Sequence, residues 1–253
     1  MQDLLKLQEL SKYAALEVGK FLLKNKNTSK KIFSEIGRDI KLELDREAEK
    51  KLRAILKQSN ISVLGEEYGI SLEAPLKWIV DPIDGTANYY RGLDQCCISI
   101  GLMQDENYIV GTIYNFNTNE LYSAAKGLGA TLNGEKITVS SISSKKQATI
   151  TTGFPSSEPV SSSLEYLSNL KEWKKVRMFG SAALSCAYLA AGKCDYYSEK
   201  GVYLWDIAAG ICLVREAGGC ANFKLIDKER YEVFFSNNLL LRLQLLPIKK
   251  QAT

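Results

Sequence analysis

Residues 78–86 read Trp-Ile-Val-Asp-Pro-Ile-Asp-Gly-Thr, an apolar run ending in two carboxylates three residues apart. The run is short enough for one buried strand and too short for a helix, so Asp81 and Asp84 stand at a strand end beside small residues. Gly65-Glu66-Glu67 lies upstream, after another short apolar run, and Leu204-Trp205-Asp206 lies far downstream. Carboxylates at strand ends and turns suit hard, oxygen-seeking cations. Pro82-Ile83 can re-aim the chain so that both aspartates face one centre, with the Ile83 carbonyl between them as a further hard donor. Gly85 permits close backbone approach, and Thr86 stands where a helix can begin and offer amides to phosphate.

The chain contains no histidine. That excludes Ser-His-Asp hydrolysis, phosphohistidine chemistry and histidine-ligated zinc or iron together. A hydrolase built from such a chain draws its power from carboxylate-bound metal. For a phosphate ester, two divalent ions about 3.5–4 Å apart generate the nucleophile and stabilise the leaving oxygen.

A length of 253 residues buries one large core, or two subdomains sharing one. The net charge of +4 helps attract an anionic substrate but does not by itself argue for nucleic acid. Six cysteines without a C-x-x-C pair form neither a four-cysteine metal site nor a natural disulfide framework. The amino terminus has helical periodicity rather than a signal-peptide core, and no apolar run approaches a membrane span. A reducing cytoplasm and no membrane partner are therefore the expectation.

Hydrophobic spacing predicts a helix over residues 3–24 and a second over Asp45–Gln58, with an extended alternation over 39–45 between them. Strands are expected at 61–64, 78–80, 97–102, 108–114, 121–124 and 130–132, the last followed by an Asn133-Gly134 hairpin turn. A Ser/Lys-rich connection at 140–147 divides the chain into halves. Beyond it, strands at 148–152, 175–179, 194–197 and 232–235 alternate with helices at 164–170, 182–191 and 206–217, and a terminal helix is expected at 239–246. The expected class is α+β, with an N-terminal α+β subdomain (1–139) carrying most metal ligands and a C-terminal α/β subdomain (140–253) completing one functional unit.

Gly65-Glu66-Glu67, the segment from Trp78 to Tyr89, Gly180-Ser181-Ala182-Ala183-Leu184, Trp205-Asp206-Ile207-Ala208-Ala209-Gly210 and Glu216-Ala217-Gly218-Gly219 resemble the signatures of the inositol monophosphatase family. The resemblance runs in order from about Asp39 to Asn237. It implies an α-β-α-β-α sandwich of the sugar phosphatase type, frequent homodimers, lithium sensitivity and a centre of two to three Mg²⁺ ions. Glu66, Asp81 and the Ile83 carbonyl would hold the first ion, with Thr86 nearby. Asp81 would bridge to a second, completed by Asp84 and Asp206, and a third would lean on Glu66 and water. Asp45 and Thr86 match the pair that orients and deprotonates the attacking water, and Glu66 counts with them as catalytic. Gly85 and Thr86 would donate to phosphate, and Ala182 and Glu199 would face the polyol, next to Asp84 and Asp206. Leu42 replaces a frequent threonine three residues before Asp45, and Arg91 replaces a frequent histidine.

The implied activity is phosphomonoester hydrolysis of inositol monophosphate or a related polyol or sugar phosphate. A 3′(2′),5′-bisphosphate nucleotidase, a fructose-1,6-bisphosphatase and a histidinol-phosphatase share the same centre and stay open as alternatives. A non-enzymatic role bound to RNA or protein is a further alternative.

Overall fold

Helix α1 (Gln2–Asn25) places Ala14, Ala15, Val18 and Leu22 on one buried stripe. That spacing is what an amphipathic helix needs to lie on a sheet. Strands β1 (Ile32–Ile36) and β2 (Asp39–Leu42) pair antiparallel, and α2 (Glu43–Leu56) follows β2 without a break. The computed structural model describes residues 2–26, 31–36, 39–69, 74–153 and 168–240.

A seven-stranded sheet then forms in sequence order: β3 (Ser62–Gly65), β4 (Leu76–Asp84), β5 (Cys97–Gln104), β6 (Asn107–Asn115), β7 (Glu120–Ala125), β8 (Gly129–Leu132) and β9 (Glu135–Ile137). The β3–β4 pair is parallel and every later pair antiparallel. A short helix, α3 (Thr86–Arg91), leaves the end of β4. The second sheet has five strands in the order β11-β10-β12-β14-β13, made of β10 (Thr149–Thr151), β11 (Lys175–Arg177), β12 (Tyr196–Tyr203), β13 (Cys220–Leu225) and β14 (Arg230–Ser236).

Two apolar helices, α4 (Ala182–Ala190) and α5 (Leu204–Glu216), lie between the sheets, and α1 and α2 cover the outer face of the first. Successive side chains of a strand point to opposite faces. Accordingly Tyr197 and Phe235 join the core around α4 and α5, whereas Tyr196 and Phe234 face the other way. On that far side Tyr196 and Ile150 pack with Leu170 and Leu240, beside helical turns at Ser168-Asn169 and Asn238–Leu240. The architecture is an α+β layered sandwich.

Helix α5 is seated on the first sheet at two glycines, Gly101 and Gly111. A Cβ on Gly101 of β5 would lie 2.9 Å from both the Ala208 Cβ and the Ala209 nitrogen, and one on Gly111 of β6 would collide with the Ala209 carbonyl. Backbone therefore rests on backbone, and the start of α5 is fixed relative to the strands.

Several elements depart from the sequence expectation. The alternation over 39–45 stays extended only to Leu42, because Asp45 reaches back to the Leu42 N–H at 2.6 Å and starts the helix early. Strand β4 does not end at Val80 but runs through the proline to Asp84, with a register shift between Asp81 and Asp84 against β5. Strand β12 is twice its expected length and takes in Glu199, Lys200 and Gly201. Strand β13 was not expected at all. Most of the helices expected at 164–170 and 239–246, and part of the basic segment 24–31, lie outside the described residues.

Candidate metal centre

The end of β4 and the start of α5 bring three carboxylates together. Single oxygens of Asp81, Asp84 and Asp206 lie within 4.8 Å of one another. Asp81 and Asp84 are buried, and Asp206 is half-buried. Each is held by donors that leave part of its carboxylate for something else. Asp81 Oδ1 accepts the Ile83 N–H at 2.9 Å, which closes the proline turn. Asp84 Oδ2 accepts from the Ser181 hydroxyl, from the Ala183 N–H at 2.9 Å and from the Cys97 thiol at 3.6 Å. Asp206 Oδ2 accepts the Tyr203 N–H at 2.7 Å.

Two of the donors on Asp84, Ser181 and Ala183, come from the start of α4, where Ser181 is the cap and also accepts the Leu184 N–H at 3.2 Å. A helix start favours a negative group, which explains why Gly180-Ser181 sits here. Asn88 of α3 ties this loop down, donating 2.7 Å bonds to the Gln95 and Phe179 carbonyls. Ala182 is buried, and its N–H also faces Asp84.

Electrostatically the cluster is under-neutralised. Burial holds the Asp81 carboxyl well above the usual carboxylate range, and repulsion from Glu66, Asp84, Asp206 and Asp45 adds to it. Burial raises Asp206 as well, reinforced by Asp84, Glu66 and Glu199 against the opposing Tyr203 N–H. Asp84 is raised by burial in spite of its donors. Glu66 and Asp45 are thus near enough for their charges to act on Asp81. A set of buried, mutually repelling oxygen donors is what a divalent cation stabilises, so these residues fit a magnesium-type ion by donor type and by charge. The Ile83 carbonyl points into the same turn and accepts the Thr86 hydroxyl at 2.9 Å.

The remaining expected residues fall around this centre. Asp45 is buried, with Oδ2 on the Leu42 N–H, and its charge is also felt at Tyr89 of α3. Gly85 takes a left-handed φ of 90° as the cap of α3, a backbone state that suits glycine. Glu199 lies on β12 and accepts the Tyr197 hydroxyl at 3.0 Å. Burial, with help from Asp84, raises its carboxyl to about 7 in spite of that hydrogen bond. Arg91 is exposed at the end of α3.

Sequence reasoning assigned no role to Ser181, Cys97 or Tyr203, which orient the clustered carboxylates. The signal for Ser181 was a capping residue directly before a run of helix formers. Cys97 carries no such signal, because a buried thiol reads as a core hydrophobe. No helix among the described residues is long and apolar enough to cross a membrane.

Residues 3–223 match the model of the inositol monophosphatase family. A Nus factor SuhB of Xylella fastidiosa is 36% identical over 227 residues, covering 87% of this chain and 82% of that protein. A fructose-1,6-bisphosphatase/inositol-1-monophosphatase of Aquifex aeolicus is 35% identical over 228 residues, covering 87% of this chain and 86% of its own length. The crystal structure of the extragenic suppressor protein suhB from Bartonella henselae superposes with a TM-score of 0.86 at 31% identity, covering 94% of this chain and 95% of the other.

Proposed function

We propose, from the premise that this chain belongs to the inositol monophosphatase family and is a phosphatase of that superfamily, that it hydrolyses inositol monophosphate or a related polyol or sugar phosphate with Mg²⁺. The observation that carries the proposal is the convergence of Asp81, Asp84 and Asp206 from β4 and α5. Glu66, Asp81, Asp84, Asp206 and the Ile83 carbonyl would hold two to three such ions. Bound ions supply an acidified water and neutralise charge on the phosphoryl and leaving oxygens.

The chain's own groups do the rest. Thr86 has given its hydrogen to the Ile83 carbonyl, so its lone pairs are left to orient the attacking water. Asp45, held at the start of α2 by the bond from the Leu42 N–H to its Oδ2, takes the proton of that water. Gly85 and Thr86 present backbone N–H groups to the phosphate. Glu199 and Ala182 face the substrate's hydroxyl-bearing end, alongside Asp84 and Asp206. Glu199, at about 7, is able to donate or accept a hydrogen bond there near neutral pH. The two halves, divided at 139/140, act as one unit because the ligands come from both. We place the chain in the cytoplasm as a lithium-sensitive homodimer.

The test is phosphate release from inositol 1-phosphate, fructose 1,6-bisphosphate, 3′-phosphoadenosine 5′-phosphate and histidinol phosphate, with and without Mg²⁺ and Li⁺. Turnover of the first, lost with chelator and suppressed by Li⁺, is the expected result. Preference for another substrate would reassign the branch, and absence of turnover on all four would remove the activity. The relative named as a Nus factor favours a second role in association with RNA or protein. A salt-dependent gel shift without phosphate release would put that role first.

A further inference from the structure

Two residues of α2 that touch neither Asp81, Asp84 nor Asp206 grip the turn that presents Glu66. Glu49 is fully buried, and its Oε1 accepts from Arg53 Nε at 2.7 Å. Its Oε2 accepts the Glu67 N–H at 2.7 Å. The guanidinium then reaches the two ends of the same stretch. Arg53 Nη1 donates to the Val63 carbonyl at 2.9 Å, and Nη2 to the Gly69 carbonyl at 3.0 Å. Gly65 presses against the Glu49 carboxylate so closely that any Cβ there would collide with it, and its carbonyl accepts the Gly69 N–H at 3.1 Å. The Tyr68 ring covers the pair, its centroid 5.8 Å from the Arg53 guanidinium carbon.

The pattern is selective. Residues 63, 65, 67 and 69 are fixed by Glu49 and Arg53, through hydrogen bonds or close contact. Glu66 sits in the middle of that grip, and its charge acts on Asp81 and Asp206. A buried glutamate without a partner would add to the repulsion around the centre, and the arginine beside it cancels that charge.

We propose that Glu49 and Arg53 are positioning residues. Their ion pair clamps the Gly65–Gly69 turn so that Glu66 is delivered to the metal centre, and the clamp thereby sets the affinity for the divalent ion. The proposal rests on the assignment of Glu66 as a ligand made above. Groups that hold a ligand in place typically change metal affinity by about 10–100-fold when removed.

The experiment compares wild type with Arg53→Met, Arg53→Lys, Glu49→Gln and Glu66→Gln. It uses amide hydrogen exchange of residues 63–69 without metal, Mn²⁺ titration calorimetry and Mg²⁺ activation of phosphate release. Arg53→Met should speed exchange across the turn and weaken Mn²⁺ binding by about tenfold, with kcat at saturating Mg²⁺ within about threefold of wild type. Arg53→Lys, which keeps the charge but loses the fork, should fall between. Glu49→Gln should follow Arg53→Met, and it replaces that variant if Arg53→Met fails to fold. Glu66→Gln should weaken Mn²⁺ binding and leave exchange unchanged.

Weaker binding in Glu66→Gln with wild-type binding in Arg53→Met or Glu49→Gln would overturn the clamp itself. Unchanged Mn²⁺ binding in Glu66→Gln would instead locate the error in Glu66 as a ligand. Unchanged exchange in both clamp variants would overturn the proposal whatever the metal data.

Discussion

Helices α2 and α5 begin in the same way and end up serving different atoms. Each follows a strand directly, after Leu42 and Tyr203 respectively, and neither of those residues has a capping side chain. In each, an aspartate at the third helical position reaches back to the N–H of the residue before the helix, at 2.6 Å for Asp45 and 2.7 Å for Asp206. One oxygen of each carboxylate is thereby spent on the helix. The difference lies in what the helix rests on. Helix α5 lies between the sheets and brings Asp206 to within 4.8 Å of Asp81 and Asp84, whereas α2 lies on the outer face and leaves Asp45 outside that trio. On the proposed reading, one local device supplies two chemical roles, a ligand in one case and a proton acceptor in the other.

The sharpest way to break this pairing is to remove charge while keeping the cap. Asp206→Asn retains an oxygen for the Tyr203 N–H, so the helix should persist. We expect kcat/KM to fall by about 10³-fold or more, Mn²⁺ binding to weaken, and the metal-free Tm to hold or rise because repulsion is relieved. Asp81→Asn should behave alike. A metal-free Tm that collapses in Asp206→Asn would make the residue structural.

Asp45→Asn sharpens the contrast from the other side. Loss of a positioned proton acceptor should lower kcat by about 10²–10³-fold while Mn²⁺ affinity stays within about threefold. If calorimetry shows metal binding lost as well, the two helix starts have one role and not two. Thr86→Ala is expected to be milder. A kcat reduced by about 10–100-fold with KM little changed would keep Thr86 on the water, and the reverse pattern would move it to substrate binding.

The smallest effect concerns pH. Glu199 is raised from 4.5 to about 7, and Asp81, Asp84 and Asp206 are raised too. A raised carboxyl binds more protons folded than unfolded, so its contribution is fully present below the unfolded value and is lost as pH rises through the folded one. For Glu199 the metal-free Tm should therefore drift down between pH 4.5 and about 7, by calorimetry. Glu199→Gln should flatten that part of the curve, and Mg²⁺ should offset the loss in wild type. A Tm that climbs over this range would contradict the electrostatics of the site.

Much of this was legible in the sequence because the informative residues cluster. Asp81-Pro82-Ile83-Asp84-Gly85-Thr86 carries two of the three clustered carboxylates and the start of α3 within six residues, and Asp206 stands beside a run of small helix formers. The layered class followed from the switch between helical and strand periods. What was not legible depended on contacts across the fold. The start of α2 at Glu43 hinges on one side-chain bond to Leu42, which overrides the alternation of 39–45. Proline at 82 looked like a strand end, yet β4 absorbs it at a register shift beside Asp84. The Glu49–Arg53 grip on residues 63–69 was invisible because an i,i+4 pair on a helix reads as surface solvation. Strand β13 is half exposed and mixed in composition, so its pairing with β14 decides it more than its own pattern.

The seat of α5 on Gly101 and Gly111 leaves no compressible layer between that helix and β5–β6. A ligand frame built across such a joint has a set width, because widening it would mean lifting a whole helix. Ions would then be sorted by radius: one wanting bonds of about 2.0–2.1 Å and another wanting about 2.3–2.6 Å would not be served equally by the same opening. Calcium, on this geometry, would compete for entry and sit poorly once inside.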